Sequence, residues 1–105
     1  MVIVLIRRSV RPDKEAEFLA TYKREKPQHP DFIEERLTKV SSAADLPASM
    51  KSLPIGNPAG ITYVNVAFWK SAQSFEQHFN PKTTHDPTIE CSDRVRVVLE
   101  EVVWV

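Results

Sequence analysis

Between Ile61 and Phe79 the chain reads ITYVNVAFWKSAQSFEQHF, an alternating run that ends at Trp69 and gives way almost at once to Ala72, Phe75 and Phe79 at helical spacing. A period of two marks a strand with two distinct faces, and a period near 3.6 marks a helix with one apolar stripe. With only Lys70 and Ser71 between the two patterns, the helix must fold back onto the sheet to which its own strand belongs. Ser71 supplies the start signal, because a serine hydroxyl can accept a hydrogen bond from a first-turn N–H group.

The remaining elements are built around this junction. Val2 to Val10 (VIVLIRRSV) is apolar on both faces in its first half, as in a strand covered on two sides. A helix opens over Arg11 to Glu15, where Pro12 suits a first turn and Asp13 and Glu15 complement the positive helix end. It is predicted to run to Lys26, burying Ala16, Phe18, Leu19 and Tyr22, before Pro27 and Pro30 end it. Phe32 to Ser41 reads as a second strand, although Glu34, Glu35 and Arg36 interrupt its alternation. Residues 42–60 hold Pro47, Pro54, Pro58 and both glycines, a connection long enough to be a lid, a partner-contacting arm or a mobile segment. The second helix is predicted to end near Asn80, ahead of Pro81. Residues 80–92 form a loop, and valine-rich Asp93 to Val105 is a terminal strand.

The resulting order, β-α-β-β-α-β over residues 1–105 as one domain, specifies an α+β ferredoxin-like fold: a four-stranded antiparallel sheet with two helices on one face. Two helices cover only one sheet face, yet Val2 to Ile6 and Val102 to Val105 offer apolar groups to both sides. An uncovered apolar face on the order of several hundred Å² is more than soluble monomers normally expose. Pairing of two copies through their sheet faces, as a homodimer, removes it.

Lys and Arg together number 14, as do Asp and Glu, so the formal charge is zero. This argues against nucleic acid and anionic membranes, which need a basic surplus, and for an uncharged or amphipathic small-molecule ligand. Cys91 is the single cysteine, which excludes an intrachain disulfide and a thiolate zinc cage and fits a cytoplasmic location. The apolar run Val2 to Ile6 precedes Arg7 and Arg8, the reverse of a secretory signal, and no stretch approaches the ~20 apolar residues of a membrane span.

Alternation divides the third strand into Thr62, Val64, Val66 and Phe68, read as core, and Ile61, Tyr63, Asn65, Ala67 and Trp69, read as the wall of a pocket. The second set joins aromatic area to an amide and a phenol, the combination that binds and orients a small ligand. His78 borders the apolar stripe of the following helix, where an imidazole can exchange a proton near neutral pH. It is the candidate catalytic residue, with Tyr22, Tyr63, Asn65 and Trp69 as candidate substrate-binding residues. Four of the five have an ordinary alternative: aromatic packing for Trp69 and Tyr22, a satisfied hydrogen bond for Asn65 and His78. The charged patches at Lys23 to Lys26 and Glu34 to Arg36 read as solvated. His29, His78 and His85 fall in separate segments, so no metal site is expected, and no phosphate-binding glycine loop or serine elbow is present.

Phe68-Trp69-Lys70-Ser71, followed by Phe75 and His78-Phe79, resembles the strand-to-helix signature of the antibiotic-biosynthesis-monooxygenase group of dimeric α/β barrels. The resemblance implies a homodimeric barrel with one cavity per subunit between helices and sheet. It further implies either cofactor-free oxygenation of an aromatic or enolisable substrate, or haem degradation. Haem is disfavoured, because Arg7 and Arg8 stand where haem-degrading members carry a first-strand Asn. Cofactor-independent monooxygenation is therefore the expected activity. A non-catalytic ligand-binding or stress-associated dimer, or an isomerase or decarboxylase in the same cavity, is the alternative.

Overall fold

In a computed structural model, which describes residues 1–22, 26–57, 59–79 and 85–103, the strands are β1 (Val2–Val10), β2 (Phe32–Lys39), β3 (Ile61–Trp69) and β4 (Val95–Glu100). They form one antiparallel sheet in the order β2-β3-β1-β4. The helices are α1 (Glu15–Thr21), entered through a 3-10 turn at Pro12–Lys14, and α2 (Ala72–His78). The element order and the ferredoxin-like α+β arrangement are those read from the sequence.

β1 and β3 are the two central strands and together carry most of the core. Val4, Ile6 and Val10 point toward the helices and are buried. On the same face of β3, Tyr63, Ala67 and Trp69, the partners of Arg8, Val4 and Val2, are buried too. One core cluster gathers Val4, Ile6, Ala67, Trp69 and Phe75, and a second gathers Val10, Phe18 and Tyr63. The helix-facing core is thus the set predicted to line a pocket. Thr62, Val66 and Phe68, predicted as core, face the other side and are only half-buried.

α2 begins where the sequence places it. The Ser71 hydroxyl accepts from the Ser74 N–H at 3.1 Å, while Ser74 Oγ donates to the Asp31 carboxylate just ahead of β2. α1 departs from expectation. Tyr22 already has extended φ and ψ of −61° and 121°, Lys26 is not helical, and the intervening residues 23–25 lie outside those described. Phe18 is the buried residue of this helix, whereas Ala16 and Leu19 are exposed, because a two-turn helix presents too narrow a stripe to bury four side chains. β4 closes at Glu100 and leaves Val102 and Val103 exposed, while the predicted strand end at Trp104 and Val105 lies outside the described residues.

A bulge in β2 explains its broken alternation. Phe32 pairs with Trp69 and Glu34 with Phe68, so Ile33 is the extra residue. Phe32 packs on Trp69, and after the bulge Glu35, Leu37 and Lys39 share that helix side. Without it, Glu34 and Arg36 would turn inward. Instead they remain exposed and pair with each other at 2.6 Å.

The long connection crosses the sheet face away from the helices. Leu46 and Leu53 border a shallow hollow of about 270 Å³ there with Leu5, Val64 and Val66, and Arg7 Nη1 donates to the Ile55 carbonyl at 3.2 Å. At the other end Gly60 allows close approach: a Cβ there would lie 3.1 Å from the Val10 carbonyl and 2.7 Å from Cys91 Sγ.

Candidate active site

The segment after α2 shapes the site by binding back onto the end of β1. Arg11 N–H donates to the Ile89 carbonyl and Cys91 N–H to the Ser9 carbonyl, both at 2.8 Å, with a bridge between Val10 and Glu90. These bonds carry the buried Glu90 side chain inward, under Arg8. Arg94, four residues on, grips the same carboxylate with Nη2 at 2.8 Å and Nε at 3.2 and 3.3 Å. Arg8 Nε lies 3.6 Å from it.

Above this charged floor is a cavity of about 670 Å³ between the sheet, α1 and α2. Ile6, Phe18, Phe79 and Ile89 give it apolar wall, and Tyr22, Asn65 and His78 give it polar atoms. The Arg8 guanidinium lies over the rings of Phe18 and Tyr22, 5.3 and 5.6 Å from their centroids, a cation–π arrangement that holds it extended. Asn65 Nδ2 donates to the Tyr22 hydroxyl at 2.5 Å. A phenol both accepts and donates, so among the described residues Tyr22 keeps its own proton uncommitted. Burial first, then the Glu35 carboxylate, pushes the Tyr22 phenol above its ordinary range, so it stays protonated at neutral pH.

The five candidate residues divide by position. Tyr22, Asn65 and His78 line the cavity. His78 is exposed at its rim, its ring 5.5 Å from that of Trp69. Trp69 itself has no exposed surface; it sits among Phe32, Phe75, His29 and His78, and its indole N–H meets no acceptor among the described residues. Tyr63 faces α1, donating to Glu15 Oε2 at 2.7 Å, and borders a second hollow beside Leu19 and Leu37. Burial, and then that bond to a carboxylate, pushes its phenol up to about 12.

Sequence reasoning missed the charged residues of the cavity. Glu35, read as part of a solvated patch, is turned inward by the β2 bulge and lines the cavity, where burial raises its carboxyl above the usual range and Arg8 opposes the rise. Arg94 and Arg96 were passed over within a valine-rich strand, yet Arg96 stands opposite Ile6 on the helix side. Alternation from Val98, the partner of Val4, would have placed Arg96 inward. Among the described residues no three His, Cys, Asp or Glu side chains gather as a metal site, and His85 Nδ1 pairs with Asp93 at 3.1 Å. The cavity does not suit haem: fully buried Trp69 has no face to offer a macrocycle, and the Arg8 and Glu90 pair occupies the β1 side.

No known family model matches this sequence, and no curated protein is significantly similar to it. A solved structure described as an antibiotic biosynthesis monooxygenase is similar in fold, with a TM-score of 0.60 over 98% of this chain and 100% of that one, at 15% identity. The chain therefore has the fold of an antibiotic biosynthesis monooxygenase. Among the described residues no helix is long and apolar enough to cross a membrane.

Proposed function

We propose that this protein is a cofactor-independent monooxygenase acting on a small aromatic or enolisable substrate in the cavity between helices and sheet. The observation that carries the reading is the Asn65–Tyr22 hydrogen-bonded pair, set in an aromatic-walled space large enough for a fused-ring ligand and shared with His78. The bond satisfies the buried amide and at the same time fixes the phenol at the cavity wall, so the pair that folds the wall also supports a donor for a ligand there.

In this reading the substrate oxygen accepts from Tyr22 and lies near Arg8, both of which favour an enolate or phenolate over its neutral form. His78 takes the proton released from substrate carbon or oxygen. The electron-rich anion passes one electron to O₂, and the resulting radical pair combines to a peroxide anion, which takes back the proton from His78 to give a hydroperoxide. Loss of water then leaves a carbonyl. A methylene carbon thus gives up two hydrogens, one oxygen atom stays in the product and the other departs as water, with every electron supplied by the substrate. Phe18 and Phe79 keep the anion away from bulk water.

Oxygen uptake with anthrone- and quinol-type substrates tests this. Wild-type protein consumes one O₂ per substrate and His78→Ala lowers the rate at least ~10²-fold, the usual scale for a positioned base. An unchanged rate in the variant removes His78 from the base role. Turnover under strict anaerobiosis would instead favour an isomerase or decarboxylase, and ligand binding with no turnover a non-catalytic binding protein.

The same proposal includes a homodimer. Val95, Val97 and Leu99 are 43 to 47% exposed on the face that the helices leave open, beside half-buried Ile3 and Leu5. This apolar face, bordered by the long connection, supports pairing sheet to sheet.

A further inference from the structure

The cavity floor holds more cationic groups than the fold needs. Arg94 is committed to Glu90 by three contacts, and Arg8 stands at the longer distance of 3.6 Å from the same carboxylate. Arg96 has no carboxylate within ion-pair distance among the described residues. The Nε atoms of Arg8 and Arg96 are both out of reach of solvent and both lack a hydrogen-bond acceptor among the described residues. Both residues line the cavity, where the outer Nη groups, and not the enclosed Nε, are the donors open to an anion; a guanidinium already desolvated at Nε is suited to an acceptor that a ligand brings to those groups.

We infer that the cavity binds an aromatic carboxylate, with Arg96 and Arg8 receiving the carboxylate and the aromatic wall of Phe18, Tyr22 and Phe79 receiving the ring. The inference deepens the reading of this space as a ligand site and adds the charge of the ligand. The charges of the lining favour a carboxylate. The described lining carries four cationic side chains, Arg8, Lys26, Arg94 and Arg96, against three carboxylates, Glu35, Asp86 and Glu90, a surplus that one monoanion neutralises. A doubly charged phosphate would meet Glu35 and Glu90 in the same space. The planar fork of arginine also matches the planar, two-oxygen face of a carboxylate. A zero net charge for the chain therefore conceals a local positive site, and of the uncharged or amphipathic ligands expected from composition the inference selects an amphipathic anion.

The test is calorimetric titration of the whole protein with 2-naphthoate and with 2-naphthamide, which differ only at the carboxyl carbon. The acid is expected to bind at least tenfold more tightly than the amide, and Arg96→Gln to abolish that preference while leaving amide affinity within about twofold. Arg96→Lys, which keeps the charge and loses the fork, should retain part of the preference. Unaltered thermal unfolding of both variants checks that they fold; should Arg96→Gln unfold, the Lys variant carries the same comparison. Equal affinities for acid and amide, binding of neither, or an undiminished preference in a folded Arg96 variant would overturn the inference. The outcome is separable from the oxygenase reading: naphthoate binding without O₂ uptake from any substrate leaves this inference standing and removes that one.

Discussion

At the scale of single residues, Asn65 and Tyr22, and Arg94 and Glu90, partner each other, while Arg96 has no carboxylate partner among the described residues. Tyr22→Phe leaves the Asn65 amide buried and without its acceptor, which should lower stability by about 1–3 kcal/mol in chemical denaturation. Tyr22→Phe combined with Asn65→Leu should recover much of that loss, because neither unpaired group remains. Glu35 gives a pH-dependent prediction. Its carboxyl is raised in the folded protein by burial, so folding favours the protonated form. Stability is fully present below the unfolded carboxyl range and is lost as pH rises through the higher folded value. Glu35→Gln should therefore raise the melting temperature at pH 7 and leave it nearly unchanged at pH 4; an equal rise at both would show that charge burial is not the cause. Trp69 belongs to packing in this geometry. Trp69→Ala should cost about 3–5 kcal/mol by emptying the core, whereas Trp69→Phe should leave ligand affinity largely intact.

At the scale of elements, the strand-to-helix junction was legible because every local signal agreed: alternation to Trp69, the Ser71 cap and the Phe75 anchor. Ser71→Ala removes the bond to Ser74 N–H and should destabilise α2 and the protein by about 1 kcal/mol, as read from the denaturation midpoint. Two features were not legible for physical reasons. The inward turn of Glu35 depends on one extra residue at Ile33, and a bulge changes strand parity without changing composition. The exact role of the β3 faces depends on which side α1 and α2 cover, and alternation alone is symmetric between the two sides. Thus Tyr63, Asn65 and Trp69 were correctly placed on one face, but only Asn65 meets the cavity; Trp69 fills the core, and Tyr63 reaches outward to Glu15. Arg94 and Arg96 were hidden by the valines around them, although the pairing of β4 with β1 sets Arg96 opposite Ile6 and so makes its inward direction necessary.

At the scale of the whole molecule, a four-stranded sheet with helices on one side has two different surfaces. One closes over the charged and aromatic cavity; the other bears Val95, Val97 and Leu99 and the long connection. For the proposed homodimer, sedimentation of wild type should give the mass of two 12.0 kDa chains, and Val97→Glu should shift it to one chain without unfolding; a monomeric wild type would refute the pairing. The central claim, that the space beside Asn65 and Tyr22 receives a ligand, is tested most directly by nuclear magnetic resonance of the Asn65 side-chain amide and the Arg8 and Arg96 Nε–H groups. During anaerobic titration with an anthrone-type or aromatic-acid ligand, all three signals should move together and saturate at one ligand per chain. Shifts confined to the Val95–Leu99 face, or a saturating interaction that leaves the Asn65 amide unmoved, would contradict the account.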